Sequence, residues 1–139
     1  MTESKRMIAD VHWTGGLRFT ASKPGGPQIL IDADGVTAPS PLVTLLIAGA
    51  TCSGADVVAI LEKKRIKITS FQIEAGGHRK EDYPRRFTEI WLRFTLAGEG
   101  LTELAARQAV DLSVQKYCSV MNSLNPDIVV TTEIVIERT

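Results

Sequence analysis

The 139-residue sequence has only two cysteines, two histidines and 6% aromatic residues, and its charges cancel. Two cysteines 66 positions apart cannot build the dense disulfide framework that staples small secreted domains. The histidines, His12 and His78, lie far from each other and from both cysteines, with no CxxC or HxxxH spacing, so no local ligand pair announces a metal. Sixteen basic residues balance sixteen acidic ones. The densest basic stretch, RKEDYPRR at 79–86, is broken by two acids and a proline and reads as a solvated loop, which argues against nucleic acid as a partner. The first ten residues, MTESKRMIAD, lack the apolar segment of a signal peptide. No apolar stretch runs the roughly 18 to 20 residues without polar interruption that a bilayer span requires. These absences point to a cytoplasmic setting with no membrane partner, and nothing in the sequence calls for a metal or cofactor.

What is present is 44% apolar residues, enough for one core in a single domain spanning 1–139. RMIADVHW (6–13) and LRFTAS (17–22) flank TGG and predict a β-hairpin, and PQILIDA (27–33) after KPGG supplies a third strand. The glycine turns GGLR and KPGGP lack the strand-then-helix context of a phosphate loop. IKITSFQIEA (66–75) and RFTEIWLRFTLAG (86–98) predict two long antiparallel strands joined by a polar connection that holds His78, and DIVVTTEIVIER (127–138) closes the chain as a strand. Ser40 can cap a helix with Pro41 in its first turn, running to about Arg65, where EKKR sets cations against the negative end of the dipole. A second helix is expected over 100–125, capped by Thr102, with Val110, Val114, Tyr117, Cys118 and Met121 on one face. The order β-β-β-α-β-β-α-β makes an α+β fold with helices packed on antiparallel sheet.

Between Leu42 and Leu61, fourteen of twenty residues are apolar, so the first helix has no wide polar face. Such a helix must be surrounded by protein, which a short domain does poorly alone, and a homodimer is the expected remedy. In its middle, LIAGATCSGADVVAIL (46–61) places Gly49, Ser53 and Asp56 at helical spacing from Cys52, a small and polar stripe that marks a close approach. Two readings of Cys52 stand open at this point. It is either a small buried hydrophobe with an inert thiol, or a reactive thiolate that needs a cation, access and a second thiol. Cys118 is the only candidate for that second thiol, and its own alternative is a core position on an amphipathic helix.

APSPLVTLLIAGATCSGADVV around the first cysteine, RFTEIWLRFTL in the strand pair and AVDLSVQKYCSVMNSL at the second cysteine resemble the family of osmotically inducible protein C and the organic hydroperoxide resistance proteins (OsmC/Ohr). The resemblance covers essentially the whole chain and is greatest to the small OsmC-like branch, in which Ser-Val rather than Pro follows the second cysteine. It implies an intertwined homodimer, with antiparallel sheets around a long central cysteine-bearing helix and active sites at the subunit interface. It also implies thiol-dependent peroxidase chemistry on organic hydroperoxides in oxidative-stress defence. Cys52 would be the peroxidatic thiolate, Cys118 would resolve its sulfenic acid as a disulfide, and a dithiol reductant, lipoyl-type in the family, would restore both. Arg18 in GGLRF matches the arginine that holds thiolate and peroxide in the family, a role suited to a guanidinium charged at every relevant pH. The sequence departs from the family in one place. The family's peroxidases carry a glutamate just after the proline at the start of the cysteine helix, whereas this chain reads Ser40-Pro41-Leu42-Val43-Thr44. Asp56, one turn beyond Cys52, is no obvious substitute, because its charge opposes a thiolate. The departure keeps a second reading in view, an OsmC-fold dimer without efficient peroxidase activity that binds a small apolar ligand at its interface.

Overall fold

The computed structural model describes residues 6–138. They form two compact units, one ending at Leu45 and one beginning at Leu46. In the first unit, β1 (Asp10–Gly15), β2 (Arg18–Ser22) and β3 (Ile29–Asp32) make an antiparallel meander in that order. The β1–β2 turn uses Gly15 and Gly16 at positive φ, which their missing Cβ allows. The third strand is shorter than the sequence suggests because the chain is already turning at Asp32. That buried carboxylate accepts bonds from the Asp34 N–H (3.0 Å), the Thr37 N–H (3.0 Å) and the Thr37 hydroxyl (2.7 Å). The two bonds from Thr37 hold its pKa below the usual carboxylate value.

The long helix α1 (Pro41–Lys63) begins as expected, with the Ser40 hydroxyl accepting the Val43 N–H at 3.2 Å. It ends where Arg65 turns left-handed at φ 61° and the Ile66 N–H returns to the Leu61 carbonyl at 3.0 Å. Gly49, Ala50, Ser53, Gly54, Val57 and Leu61 form its buried face. Val43 and Ile47 stay 46% and 45% exposed. By length and composition α1 is long and apolar enough to cross a membrane, with a mean hydropathy of 1.8 over its best 18-residue window. The expectation drawn from uninterrupted runs therefore understates it. Only 28% of that window is buried, along a face packed closely enough that a Cβ on Gly54 would come within 2.9 Å of the Ile73 side chain.

In the second unit, β4 (Lys67–Arg79), β5 (Phe87–Glu99) and β6 (Val129–Ile136) form a sheet with β5 in the centre. Ile90, Leu92, Phe94 and Leu96 alternate along β5 into the core. Three sequence expectations are corrected here. The sheet is mixed rather than antiparallel throughout: β4 and β5 run antiparallel, but β6 runs parallel to β5, because the helical crossover between them returns the chain to the starting end. His78 lies in β4, not in a loop, since the strand continues through Gly76 and Gly77. The second helix is not continuous over 100–125. Thr102 caps α2 (Glu103–Leu112) as expected, accepting the Ala105 N–H at 3.1 Å, but a π-helical turn (Ser113–Tyr117) follows. Cys118 is then extended (φ −72°, ψ 102°), and a single 3-10 turn spans Met121–Ser123. The break leaves Tyr117 exposed, while Val110, Cys118 and Met121 remain buried.

Gly76 is held to glycine by its neighbour across the strands, because a Cβ there would overlap the Trp91 ring. Gly76→Ala is expected to lower stability by about 1–3 kcal/mol, the usual range for overpacking. Urea denaturation checks this, and a loss below about 0.5 kcal/mol, the scatter of neutral surface changes, would show that the ring moves aside freely.

Candidate functional site

The break in the second helix and the small-residue stripe of α1 meet in the second unit. Cys52 lies on α1 and is half-buried, while Cys118, in the break, is fully buried. Cys52 neighbours Cys118 closely enough to act on its thiol's pKa. Cys118 Sγ also lies 3.9 Å from the Gly49 carbonyl and accepts the Met121 N–H at 3.4 Å. Gly49 permits this approach, because a Cβ there would come within 2.8 Å of Met121 Sδ. The stripe that flanks Cys52 in sequence is thus the bed on which the Cys118 segment lies.

Burial pushes the Cys118 thiol up to about 11, and the neighbouring Cys52 adds to the rise; the Met121 N–H acts in the opposite sense. At pH 7 about one Cys118 in ten thousand is then a thiolate, the nucleophilic form. The pair is therefore unequal, one thiol partly open to solvent and one enclosed and held neutral behind it.

A polar network beside the thiols was only partly legible in the sequence. Ser53 and Ser113 are both fully buried, with their hydroxyl oxygens 3.0 Å apart, and the Ser113 hydroxyl donates to Asp56 Oδ2 at 2.8 Å. Ser53 and Asp56 belong to the stripe around Cys52. Ser113 carried no signal, because a serine near the end of an amphipathic helix is unremarkable in sequence. Asp56, which had no evident role, now has a hydrogen-bond partner. Among the described residues no group of three or more metal-ligating side chains lies together.

Arg18, the third predicted site residue, belongs to the first unit, exposed at the start of β2. It stands opposite Asp32 in the β2–β3 register and contributes, by its charge, the smallest part of the lowering of that carboxyl's pKa. Arg18 thus has an acidic neighbour within its own sheet, which a search confined to positions 42 and 43 overlooks. On the flank of α1 in the second unit an apolar groove of about 550 Å³ is lined by Ile47, Ala50, Gly54, Val58, Phe71 and Ile73.

The raised thiol fixes a pH dependence of stability. Below about pH 9 Cys118 is neutral folded and unfolded; between about 9 and 11 the unfolded chain loses its proton and the native one keeps it. Native stability should therefore fall across that window by up to about tenfold in the folding constant per pH unit. Equilibrium unfolding of the wild type and Cys118→Ala from pH 8 to 11 checks this. The variant should have the shallower slope, and parallel slopes would contradict the assignment.

The sequence model of the OsmC-like protein family matches residues 32–133. Protein YhfA of Escherichia coli (strain K12) is 41% identical over 126 residues, which are 90% of this chain and 94% of YhfA. The crystal structure of a hypothetical protein from Aquifex aeolicus VF5 superposes with a TM-score of 0.83 at 28% identity, covering 97% of this chain and all of that one. More distantly, the organic hydroperoxide resistance protein OhrB of Bacillus subtilis shares the fold, with a TM-score of 0.60 at 16% identity over 96% of this chain and 98% of that one. With its family segment running from the end of β3 into β6 and both cysteines inside it, the chain belongs to the OsmC-like protein family.

Proposed function

We propose that this protein is a thiol-dependent peroxidase that reduces organic hydroperoxides. The observation that carries the reading is the neighbouring pair of unequal free thiols, Cys52 reachable from solvent and Cys118 enclosed. Attack of the Cys52 thiolate on the distal oxygen of ROOH breaks the O–O bond; the sulfur is oxidised to sulfenic acid, and the alkoxide takes a proton to leave as ROH. The Cys118 sulfur then displaces the sulfenic oxygen, forming the Cys52–Cys118 disulfide and releasing water. A dithiol reductant restores both thiols by exchange and leaves as its own disulfide. Low thiolate content in Cys118 slows the second step at neutral pH, an effect offset by the closeness of its neighbour Cys52. The apolar groove beside α1 suits a hydroperoxide with a hydrocarbon body better than hydrogen peroxide.

The family resemblance assigns Arg18 to hold the thiolate and peroxide. A homodimer in a reducing compartment belongs to the same reading. Its support is the apolar surface each unit leaves open: Val11, Trp13 and Ile29 on the first sheet, Ile47 on α1. A ligand-binding dimer without turnover is the second reading, favoured by the absent glutamate at 42–43 and by the same groove.

Reduced protein mixed with cumene hydroperoxide and a dithiol recycling system separates the two. Cys52→Ser should lose turnover by more than about a hundredfold, as expected when a covalent nucleophile is removed. In the absence of the dithiol, Cys118→Ser should consume one equivalent of peroxide and stop as a dimedone-trappable sulfenic acid. Arg18→Met should lower kcat/KM by about tenfold or more, with the loss of a positioned charge. Persistence of both thiols under excess hydroperoxide leaves the ligand-binding reading, and undiminished turnover in Cys52→Ser removes Cys52 as the peroxidatic thiol.

A further inference from the structure

We propose that Asp56, Ser113 and Ser53 are positioning residues for Cys118, anchoring the π turn that holds its sulfur against α1, the helix that bears Cys52. The proposal deepens the peroxidase reading and rests on it for its functional consequence.

The backbone of the turn states the need. An α-helix continued past Leu112 would bond the Cys118 N–H to the carbonyl of Val114. Instead that N–H donates to the Ser113 carbonyl at 2.7 Å, closing a wider π turn, after which Cys118 becomes extended. A single π turn is a less favourable alternative to the α-helix, found mostly where function uses it, and something must hold it in place. The side chain of Ser113 supplies that hold. Ser113 carries both the carbonyl that accepts the Cys118 N–H and the hydroxyl that donates to Asp56 Oδ2 and contacts the Ser53 hydroxyl. Asp56 and Ser53 stand on α1, the helix that bears Cys52, so one short network ties the origin of the Cys118 turn to the scaffold of the other thiol.

The far end of the turn is fastened separately. Asn122 Nδ2 donates to the Val114 carbonyl at 3.2 Å and to the Cys118 carbonyl at 2.8 Å, taking up acceptors the broken helix leaves free. Both serine hydroxyls are fully buried, and removing either partner leaves a polar group in the core without its bond. An Asp one turn from a reactive cysteine, otherwise an electrostatic handicap, is explained by this anchoring. Its carboxylate acts as a hydrogen-bond acceptor, so the amide of Asn, which also offers an acceptor oxygen, should serve in its place.

The test follows amide hydrogen exchange at Cys118 by NMR together with the thiol–disulfide equilibrium of Cys52 and Cys118 in glutathione buffers, in wild type, Ser113→Ala, Asp56→Ala and Asp56→Asn. Exchange of the Cys118 amide should accelerate by about tenfold or more in both alanine variants, the loss of about one buried hydrogen bond, with the Phe94 amide in β5 unchanged. The disulfide should become easier to reduce by a similar factor, and Asp56→Asn should stay within about threefold of wild type on both readouts. Unchanged Cys118 exchange in the alanine variants, equal acceleration at Phe94, or an Asn variant as damaged as Ala overturns the proposal. A wild type that forms no Cys52–Cys118 disulfide while the exchange pattern holds overturns the peroxidase reading and leaves the anchor standing. A disulfide equally stable in all four proteins does the reverse.

Discussion

The hydrogen bond from the Cys118 N–H back to the Ser113 carbonyl places the second cysteine of the proposed pair. Without that wider turn the second helix runs on, and the residues after Leu112 take other directions. With it, the chain leaves the helical path, Cys118 turns inward against α1, and a fully enclosed thiol lies behind a partly open one. The burial that lifts the thiol's pKa, the contact with Cys52 and the packing of Met121 over Gly49 all follow from this one departure from helical geometry.

Much of this was legible because it rests on local rules. Ser40 and Thr102 cap the helices where an oxygen-bearing side chain precedes an apolar period, and both bonds form. The alternation of β5 and the glycine turn between β1 and β2 follow the same logic. The stripe of Gly49, Ser53 and Asp56 signalled a close approach, and a close approach is there. What escaped was decided by distant contacts. The π turn depends on a hydroxyl bonding a carboxylate 57 residues away, which helical periodicity around Ser113 cannot reveal. The parallel pairing of β6 depends on which end of the sheet a crossover returns to, and strand patterns do not encode that. His78 lies in β4 rather than in the polar connection expected after residue 75, because Gly76 and Gly77 continue the strand and admit the Trp91 and Phe87 rings.

Arg18 has no acidic residue at the family's position but does have one across its own sheet. The family pattern directs attention to the start of the cysteine helix, where this chain has Leu42 and Val43. Strand register directs it to Asp32, a buried carboxylate already committed to Thr37 and Asp34 but still facing Arg18 across the sheet. The apolar surfaces left open on both units, and the unusual apolarity of α1, are what the proposed homodimer would cover.

The central claim is that Cys52 and Cys118 of one chain form a redox pair. Its most direct test is to oxidise the folded protein with one equivalent of diamide, digest it without reduction and map the cross-linked peptides by mass spectrometry. The account predicts a single Cys52–Cys118 linkage within each chain, with the protein running as a monomer on a denaturing, non-reducing gel. Two free cysteines after oxidation, or a linkage between chains, would contradict it.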